Sequence, residues 1–472
     1  MNPVLYWNGV LLEATRRDHT LGFGPSLVEG RALHGGPTRT SRAMAIASIA
    51  IHDAVCAARR PAAAYLTKRY GDAVPPAAAA DEAAVIAGAA YGAMSLLYPK
   101  FVSFLDDALR SEVAAPETNE AFKAGREIGA MIFARRSGDK LTDGAYQPDP
   151  TGAAPRHQVD PLNPTQGYLT AEWGALDRFS GAPRVQLTPP PYDATPQEHE
   201  RYRQDADEVL AKGGQAAPSR TDDETEVGVF WGYDGAFELG VPPRLYNQIA
   251  RQLIASRKLG IEASAELLAA LNVAMADAGI DAWHWKYEYD FWRPVVGLRH
   301  SDDPNWKPLG LPRTNDGRQS ALTPTTPHFP AYPSGHATFG AAIFQVLRLY
   351  LSNDATPISL HEVLAAESAP GSVAGEGFSF VSDELNGLSL EPGPTGAIRP
   401  LAERAFKSFA HAVFENAISR VFLGVHWRFD GVPRPGDAAE YGGVPLGLEI
   451  GKQAHALFAT APSLMGVATP AE

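Results

Sequence analysis

Cysteine is almost absent: Cys56 is the only one in 472 residues. That excludes an internal disulfide framework and fits a reducing compartment. Set among small residues in a helical pattern, the lone thiol reads as a buried hydrophobe. Charge is scarce as well. Asp, Glu, Lys and Arg make up 20% of the chain, against 45% hydrophobic residues, so the chain is not disordered. The net charge of −13 argues against nucleic acid and anionic membranes as partners. No apolar run reaches the roughly 18 residues of a membrane span. Arg16, Arg17 and Asp18 stand where a leader would need its apolar core, so no signal peptide is expected. The reading is a soluble protein, cytoplasmic or exported by a route without a cleaved leader. Alternating strand patterns are nearly absent, and the expected fold class is mainly α.

What is present is a set of helical patterns. Thr38–Arg60, Asp81–Ser111 and Asn119–Arg136 read as helices, and His52-Asp53 within the first reads as structural. Residues 138–190 are rich in Gly, Pro, Asp and Thr. They read as a long ordered loop, because Tyr168, Trp173 and Phe179 need somewhere to pack. Gln197–Lys212 is a charged helix. Pro242–Lys258 and Ala263–Ala276 read as amphipathic helices, Asn315–Thr326 as a loop, and Thr356–Arg399 as turns. The chain divides into an N-terminal helical region, 1–190, and a C-terminal bundle, 191–472, packed as one unit.

Three stretches carry chemistry. The first is Phe329-Pro-Ala-Tyr-Pro-Ser-Gly-His-Ala-Thr-Phe-Gly340. Pro330 and Pro333 keep the segment extended. Ser334 is a preferred N-cap residue, with an apolar helical pattern following it. Ser334, Gly335 and His336 are therefore placed at a helix N-terminus, where free N–H groups favour an anion. Alone, this reads equally as a cap followed by a core histidine. The second stretch is Trp283-His-Trp-Lys-Tyr-Glu-Tyr-Asp-Phe-Trp-Arg-Pro294. Lys286 and Arg293 are seven apart, two turns on a helix and nearly in register, and Pro294 predicts a helix end or kink at Arg293. The third is Asn416-Ala-Ile-Ser-Arg-Val-Phe-Leu-Gly-Val-His-Trp-Arg-Phe-Asp430. A break at Gly424 would let Arg420 and His426 face one cavity. Asp430, four residues past His426, could hold its second ring nitrogen if the chain turns helical again.

In this order the three resemble the superfamily of vanadium-dependent haloperoxidases and type 2 phosphatidic acid phosphatases. The wording of Phe291-Trp-Arg-Pro294, Phe329–Gly340, Glu415-Asn-Ala-Ile-Ser-Arg420 and Gly424-Val-His-Trp-Arg-Phe-Asp430 is similar to the fungal-type vanadium chloroperoxidases. The resemblance is dense in the second half and thinner toward the N-terminus. It implies two helix bundles with the active site in the C-terminal one. It implies that Lys286, Arg293, Ser334, Gly335, Arg420 and His426 hold vanadate, with His426 the only protein ligand to the metal. Phosphate or sulfate would fit the same site. His336 and Lys286 are the implied catalytic groups, for proton transfer and for polarising peroxide. The resemblance also counts Asp234 with the catalytic groups and implies that it pairs with Arg420 and holds its fork, although by sequence alone it reads as readily as a turn residue before Gly235. Asp430 lies behind His426.

Hydrogen peroxide, halide (bromide, and chloride as a second candidate) and a small organic acceptor are the implied substrates. Trp283 and Phe329 line the halide side in that family, and by sequence alone both read equally as core. His328 departs from the family pattern and is grouped with them. The stretch between Asp430 and Gly442 is also shorter than in the fungal type. The same residues describe a soluble metal-independent acid phosphatase with a phosphohistidine intermediate, and the motifs alone do not separate the two. The oligomeric state is left open, a homodimer included.

Overall fold

In the computed structural model, residues 2–21, 32–113, 115–192, 194–352, 355–369, 376–437 and 440–459 are described. The N-terminal part comprises α1 (Pro3–Leu21), α2 (Gly36–Arg59), α3 (Tyr65–Tyr70), α4 (Glu82–Leu97), α5 (Val102–Arg110) and α6 (Glu120–Arg135). The C-terminal part has α7 (Pro196–Lys212), α8 (Asp222–Phe230), α9 (Pro242–Ser256), α10 (Ile261–Tyr289), α11 (Pro294–Ser301), α12 (Gly335–Leu351) and α13 (Leu360–Ala365). There follow β1 (Phe378–Asn386), β2 (Leu401–Phe406), α14 (Phe409–Phe422), α15 (Arg428–Gly431) and α16 (Gly443–Phe458). The mainly α expectation holds.

The axis of the molecule is α10. Its 29 residues, about 43 Å at 1.5 Å per residue, are buried almost continuously from Ser264 to Trp283. This helix is one element, not the short amphipathic Ala263–Ala276 read from the sequence. It has neighbours on all sides: α2 from the N-terminal part, and α12 and α16 from the C-terminal part. A helix apolar all round belongs in such a position. By length and composition, α2 and α10 could each cross a membrane, contrary to the expectation that no stretch would, but both are buried inside this fold.

Small residues set the helix spacing. On α16, Gly443, Gly447 and Gly451 recur every fourth position against α12. A Cβ at Gly447 would stand 2.3 Å from Thr338 O, so only glycine lets the two backbones meet. In the N-terminal part, a Cβ at Gly88 of α4 would stand 2.1 Å from Phe122 O of α6.

Other expectations change in detail. The Asp81–Ser111 helix is broken after Leu97 and resumes at Val102, with Pro99 opening the turn between. Asn315–Thr326 contains one turn of 3-10 helix at Gln319–Leu322. Thr356–Arg399, read as turns, contains α13 and β1, although residues 370–375 within it lie outside the described residues. β1 pairs antiparallel with β2, with Phe378 opposite Phe406 and Val381 opposite Glu403. The loop over 138–190 is ordered as expected: Trp173 and Phe179 are buried, and Phe179 N and Ser180 N donate to Asp277 of α10. Cys56 is buried, as its surroundings predict.

Candidate active site

Lys286 lies one turn from the C-terminus of α10. Asp290 then takes a left-handed conformation, φ +50°, and ends the helix. Arg293 is therefore not on the same helix, as the seven-residue spacing suggested; it is the N-cap of α11, fixed there by Pro294. The two cations converge all the same, because the turn folds back. Both grip the extended segment before α12. Lys286 Nζ donates to Pro330 O, Ala331 O and Pro333 O at 2.8, 2.9 and 2.5 Å. Arg293 Nε donates to Phe329 O at 2.9 Å, and Nη1 to Val425 O at 2.7 Å. Burial, reinforced by Arg293, holds the Lys286 ammonium well below its usual range.

Ser334 caps α12, its side chain accepting from Ala337 N at 3.4 Å, and Gly335 opens the helix. His336 is tied at several points. Its Nε2 is 2.8 Å from Gly232 O, and its own carbonyl accepts from Asn416 Nδ2 at 2.8 Å and Tyr246 Oη at 3.2 Å. Because a carbonyl only accepts, Nε2 carries the proton and Nδ1 is left as the basic nitrogen. Burial, helped by Arg420, pulls the ring down to about 4, against the opposing pull of Asp234.

Arg420, near the end of α14, is gripped by Asp234 through two parallel bonds of 2.9 Å. Asp234 Oδ1 also lies 3.8 Å from His336 Nε2. Gly424 takes φ +69° and breaks the chain after α14, which lets His426 turn back toward Arg420. His426 Nδ1 is 2.8 Å from Asp430 Oδ2, at the short helix α15, as the spacing of four implies. Its Nε2 is 3.0 Å from Arg293 Nη1. Asp430 O accepts from Ser334 N at 2.7 Å, which joins the His426 turn to the start of α12. Burial and the three nearby cations hold His426 well below the usual histidine range.

These groups face a cavity of about 530 Å³. Asp234, Trp283, His328, Phe329, Gly335, His336, Arg420 and His426 line it, whereas Lys286, Arg293 and Ser334 stand directly behind its wall. Trp283 and Phe329 pack with ring centroids 4.7 Å apart. The Lys286 ammonium sits 5.1 Å from the Phe329 ring and 5.6 Å from Trp283. Trp283 Nε1 donates to Leu169 O at 3.1 Å, so the long loop fixes the aromatic wall.

The donor set fits a tetrahedral oxyanion. Three buried cations, Lys286, Arg293 and Arg420, face the buried Asp430 and the half-buried Asp234, and Arg420 Nε is buried with no hydrogen-bond partner among the described residues. Neutral His426 presents one nitrogen while Asp430 holds the other. Among the described residues no group of three or more His, Cys, Asp or Glu forms a cation site.

Two supports were not legible as site residues. Glu384, on β1, accepts from Tyr233 N at 2.8 Å and thereby pins the turn that carries Gly232 O and Asp234. Tyr246 and Asn416 hold the carbonyl of His336. Asn416 and Tyr246 each stand inside a stretch worded like the family's, Glu415–Arg420 and Pro242–Gln248, without being marked as site residues; nothing in the sequence marks Glu384.

Residues 1–164 match the vanadium chloroperoxidase N-terminal domain, and residues 266–460 the second helical-bundle domain of the same family. Vanadium chloroperoxidase of Curvularia inaequalis is 33% identical over 503 aligned positions, which cover 91% of this chain and 79% of that protein. The chain belongs to the vanadium chloroperoxidase family. It is accordingly a vanadium-dependent haloperoxidase. Solved structures share the family's fold. A bacterial vanadium-dependent iodoperoxidase superposes with a TM-score of 0.65 at 19% identity, covering 96% of this chain and 98% of that one. A holo bacterial vanadium-dependent chloroperoxidase gives 0.60 at 15% identity, covering 93% and 95%.

Proposed function

We propose that the residues around Arg420 and His426 form the vanadate site and that this chain oxidises bromide and chloride with hydrogen peroxide. The observation that carries the assignment is the unpartnered Arg420 Nε beside a neutral, Asp430-backed His426 in a cationic pocket. When bound, vanadate supplies a Lewis-acidic centre that activates peroxide toward halide.

The chain's own groups do the rest. His426 Nε2 is the ligand. Arg420, with Asp234 fixing its fork, and the N-terminus of α12 at Gly335 bind the oxyanion. Arg293 must exchange its contact with His426 Nε2 for one to the oxyanion. Lys286 has three N–H bonds and three carbonyl partners, so in this geometry it acts as a fixed positive charge behind the wall. His336 Nδ1 accepts and returns the proton, while Gly232 O holds the ring. Trp283 and Phe329 strip water from the halide, with His328 at the same rim. The enzyme is proposed to be soluble, because its long apolar helices are covered by the fold.

The test is halogenation of a 1,3-diketone with peroxide and bromide or chloride, with and without orthovanadate, beside phosphate release from an aryl phosphate. Halogenation should require vanadate. His426→Ala should abolish vanadate binding and activity together. His336→Ala should keep vanadate and lose turnover about 10²- to 10⁴-fold. Full activity in either variant, or phosphate release without halogenation, overturns the assignment.

A further inference from the structure

The ribbon that follows β1 is built inside out. Leu390 stands opposite Ile398 in an antiparallel bridge, and Arg399 N donates to Ser389 O at 2.8 Å. Side chains alternate across such a ribbon and opposite residues share a face, so Leu388, Leu390 and Ile398 point one way and Ser389 and Arg399 the other. The polar pair is the buried one. Arg399 Nη1 donates to Glu384 at 2.7 Å, the carboxylate that holds the Tyr233 turn. The aliphatic face is turned outward and exposed. A sheet with one wet side normally does the reverse, apolar toward the core and polar toward water.

The neighbours extend this face. Among the described residues six large hydrophobic side chains are exposed, and five of them gather here: Leu322 at 51%, Leu388 at 78%, Leu390 at 39%, Ile398 at 67% and Leu401 at 69%. They are contiguous. A Cβ at Gly393, at the tip of the ribbon, would stand 3.3 Å from Leu322 Cδ2, and one at Gly387 would stand 3.4 Å from Leu401 Cβ. The sixth, Leu96, lies apart on α4. Together the five expose the equivalent of about three whole residues, roughly 500 Å², the size of patch that marks an interaction site. Homodimer interfaces are about 65% apolar, so this much apolar surface corresponds to about 800 Å² per partner, the area of a standard stable interface.

We propose that this face is the interface of a homodimer, in which two copies meet ribbon to ribbon about a two-fold axis. An apolar face is complementary to itself, which is what a two-fold contact requires. The rim carries both signs of charge. Arg318, near Leu322, and Glu391, beside Leu390, have side chains 47% and 51% exposed, so a second copy can set unlike charges against each other. The net charge of −13 opposes an anionic membrane as the occupant.

The test is sedimentation velocity on the full chain between about 0.1 and 100 µM, a range that brackets micromolar affinity. Dimer should prevail at the upper end. Ile398→Glu places a charge from each copy in the contact and should weaken association about 100-fold or more, with helicity unchanged. Leu96→Glu, an equally exposed leucine off the face, should leave it unchanged. Leu388→Cys adds an exposed thiol to a chain whose only other cysteine is buried. Its alkylation by a maleimide should slow as concentration rises, in proportion to the dimer fraction. A chain that is monomeric at about 100 µM, a dimer that survives Ile398→Glu, or alkylation of Leu388→Cys that is independent of concentration overturns the proposal. Flotation of a monomeric chain with phosphatidylcholine vesicles would give the face to a membrane and overturn it as well.

Discussion

His336 and His426 are both buried and both neutral, but their partners give them opposite tasks. A carbonyl on Nε2 leaves His336 with a basic Nδ1, whereas a carboxylate on Nδ1 leaves His426 with Nε2 for the oxyanion. The depression of His336 to about 4 has a measurable consequence. Its causes are burial first and Arg420 second, and a bound dianion counters both. The histidine pKa therefore rises on anion binding, and between pH 4 and the raised value binding takes up a proton. Affinity must strengthen as pH falls and weaken as pH rises. Sulfate is the clean probe, because its charge is constant over pH 4–8. From pH 8 to 5 its affinity should rise, by up to about tenfold per pH unit per proton. Calorimetry in two buffers of different ionisation heat reads the proton uptake directly. In His336→Ala the uptake should vanish; an unchanged slope would mean that another group is responsible.

At the scale of elements, the small sheet has a task that its sequence conceals. Tyr233 sits at φ +48°, an uncommon conformation for a large side chain, and it lies between Gly232 and Asp234, which hold His336 and Arg420. Glu384, from β1, holds Tyr233 N at 2.8 Å and is itself held by Arg399 at 2.7 Å and by Thr314. We expect Glu384→Leu to release this turn and lower kcat about 10- to 100-fold, the usual consequence of a displaced catalytic group. Glu384→Gln keeps an acceptor for Tyr233 N and should recover most of the loss. A role confined to stability would lower the folded fraction but leave kcat per folded molecule and the pH profile of the His336 step unchanged. The α12–α16 contact is the corresponding support behind Ser334, because its glycines bring α16 against the first turns of the helix that carries the anion-facing N–H groups.

Across the whole molecule, the two parts of the chain are joined by buried polar bonds as well as by apolar packing. Asn8 donates to Asn247 at 3.1 Å, Asn247 to Asn272 at 2.9 Å, and Asn272 to Ser48 at 2.9 Å. Asp277 of α10 accepts from Phe179 N and Ser180 N at 2.6 and 3.0 Å. Separating residues 1–190 from 191–472 would strand these groups without partners, which is expensive. We therefore propose a single cooperative unit, with one calorimetric transition; two resolved transitions would refute it. Gly88→Ala tests the coupling from a distance. Its new methyl has Phe122 O in its place, an overpacking that typically costs about 1–3 kcal/mol. Sulfate binding at the remote cage should then be lost at the same lowered denaturant midpoint as helicity.

Most of the cage was legible because its members travel in short strings whose local geometry is set by their neighbours. Proline before Ser334 enforces an extended approach, Ser334 begins a helix, Gly424 stops one, and the interval from His426 to Asp430 spans one turn. Such relations rest on backbone sterics over a few residues, and the chain determines them by itself, along with the helical class and the pairing of Asp430 with His426. Long-range contacts decided the rest. Lys286 and Arg293 meet through a folded-back turn, not along one helix, and both spend donors on the carbonyls of the segment after Phe329. Glu384 reaches Tyr233 across 151 residues of sequence. The helix α10 is one buried rod because α2, α12 and α16 surround it. No spacing in the chain encodes those meetings. They follow from which apolar faces bury each other, and that is settled only when the whole chain has packed.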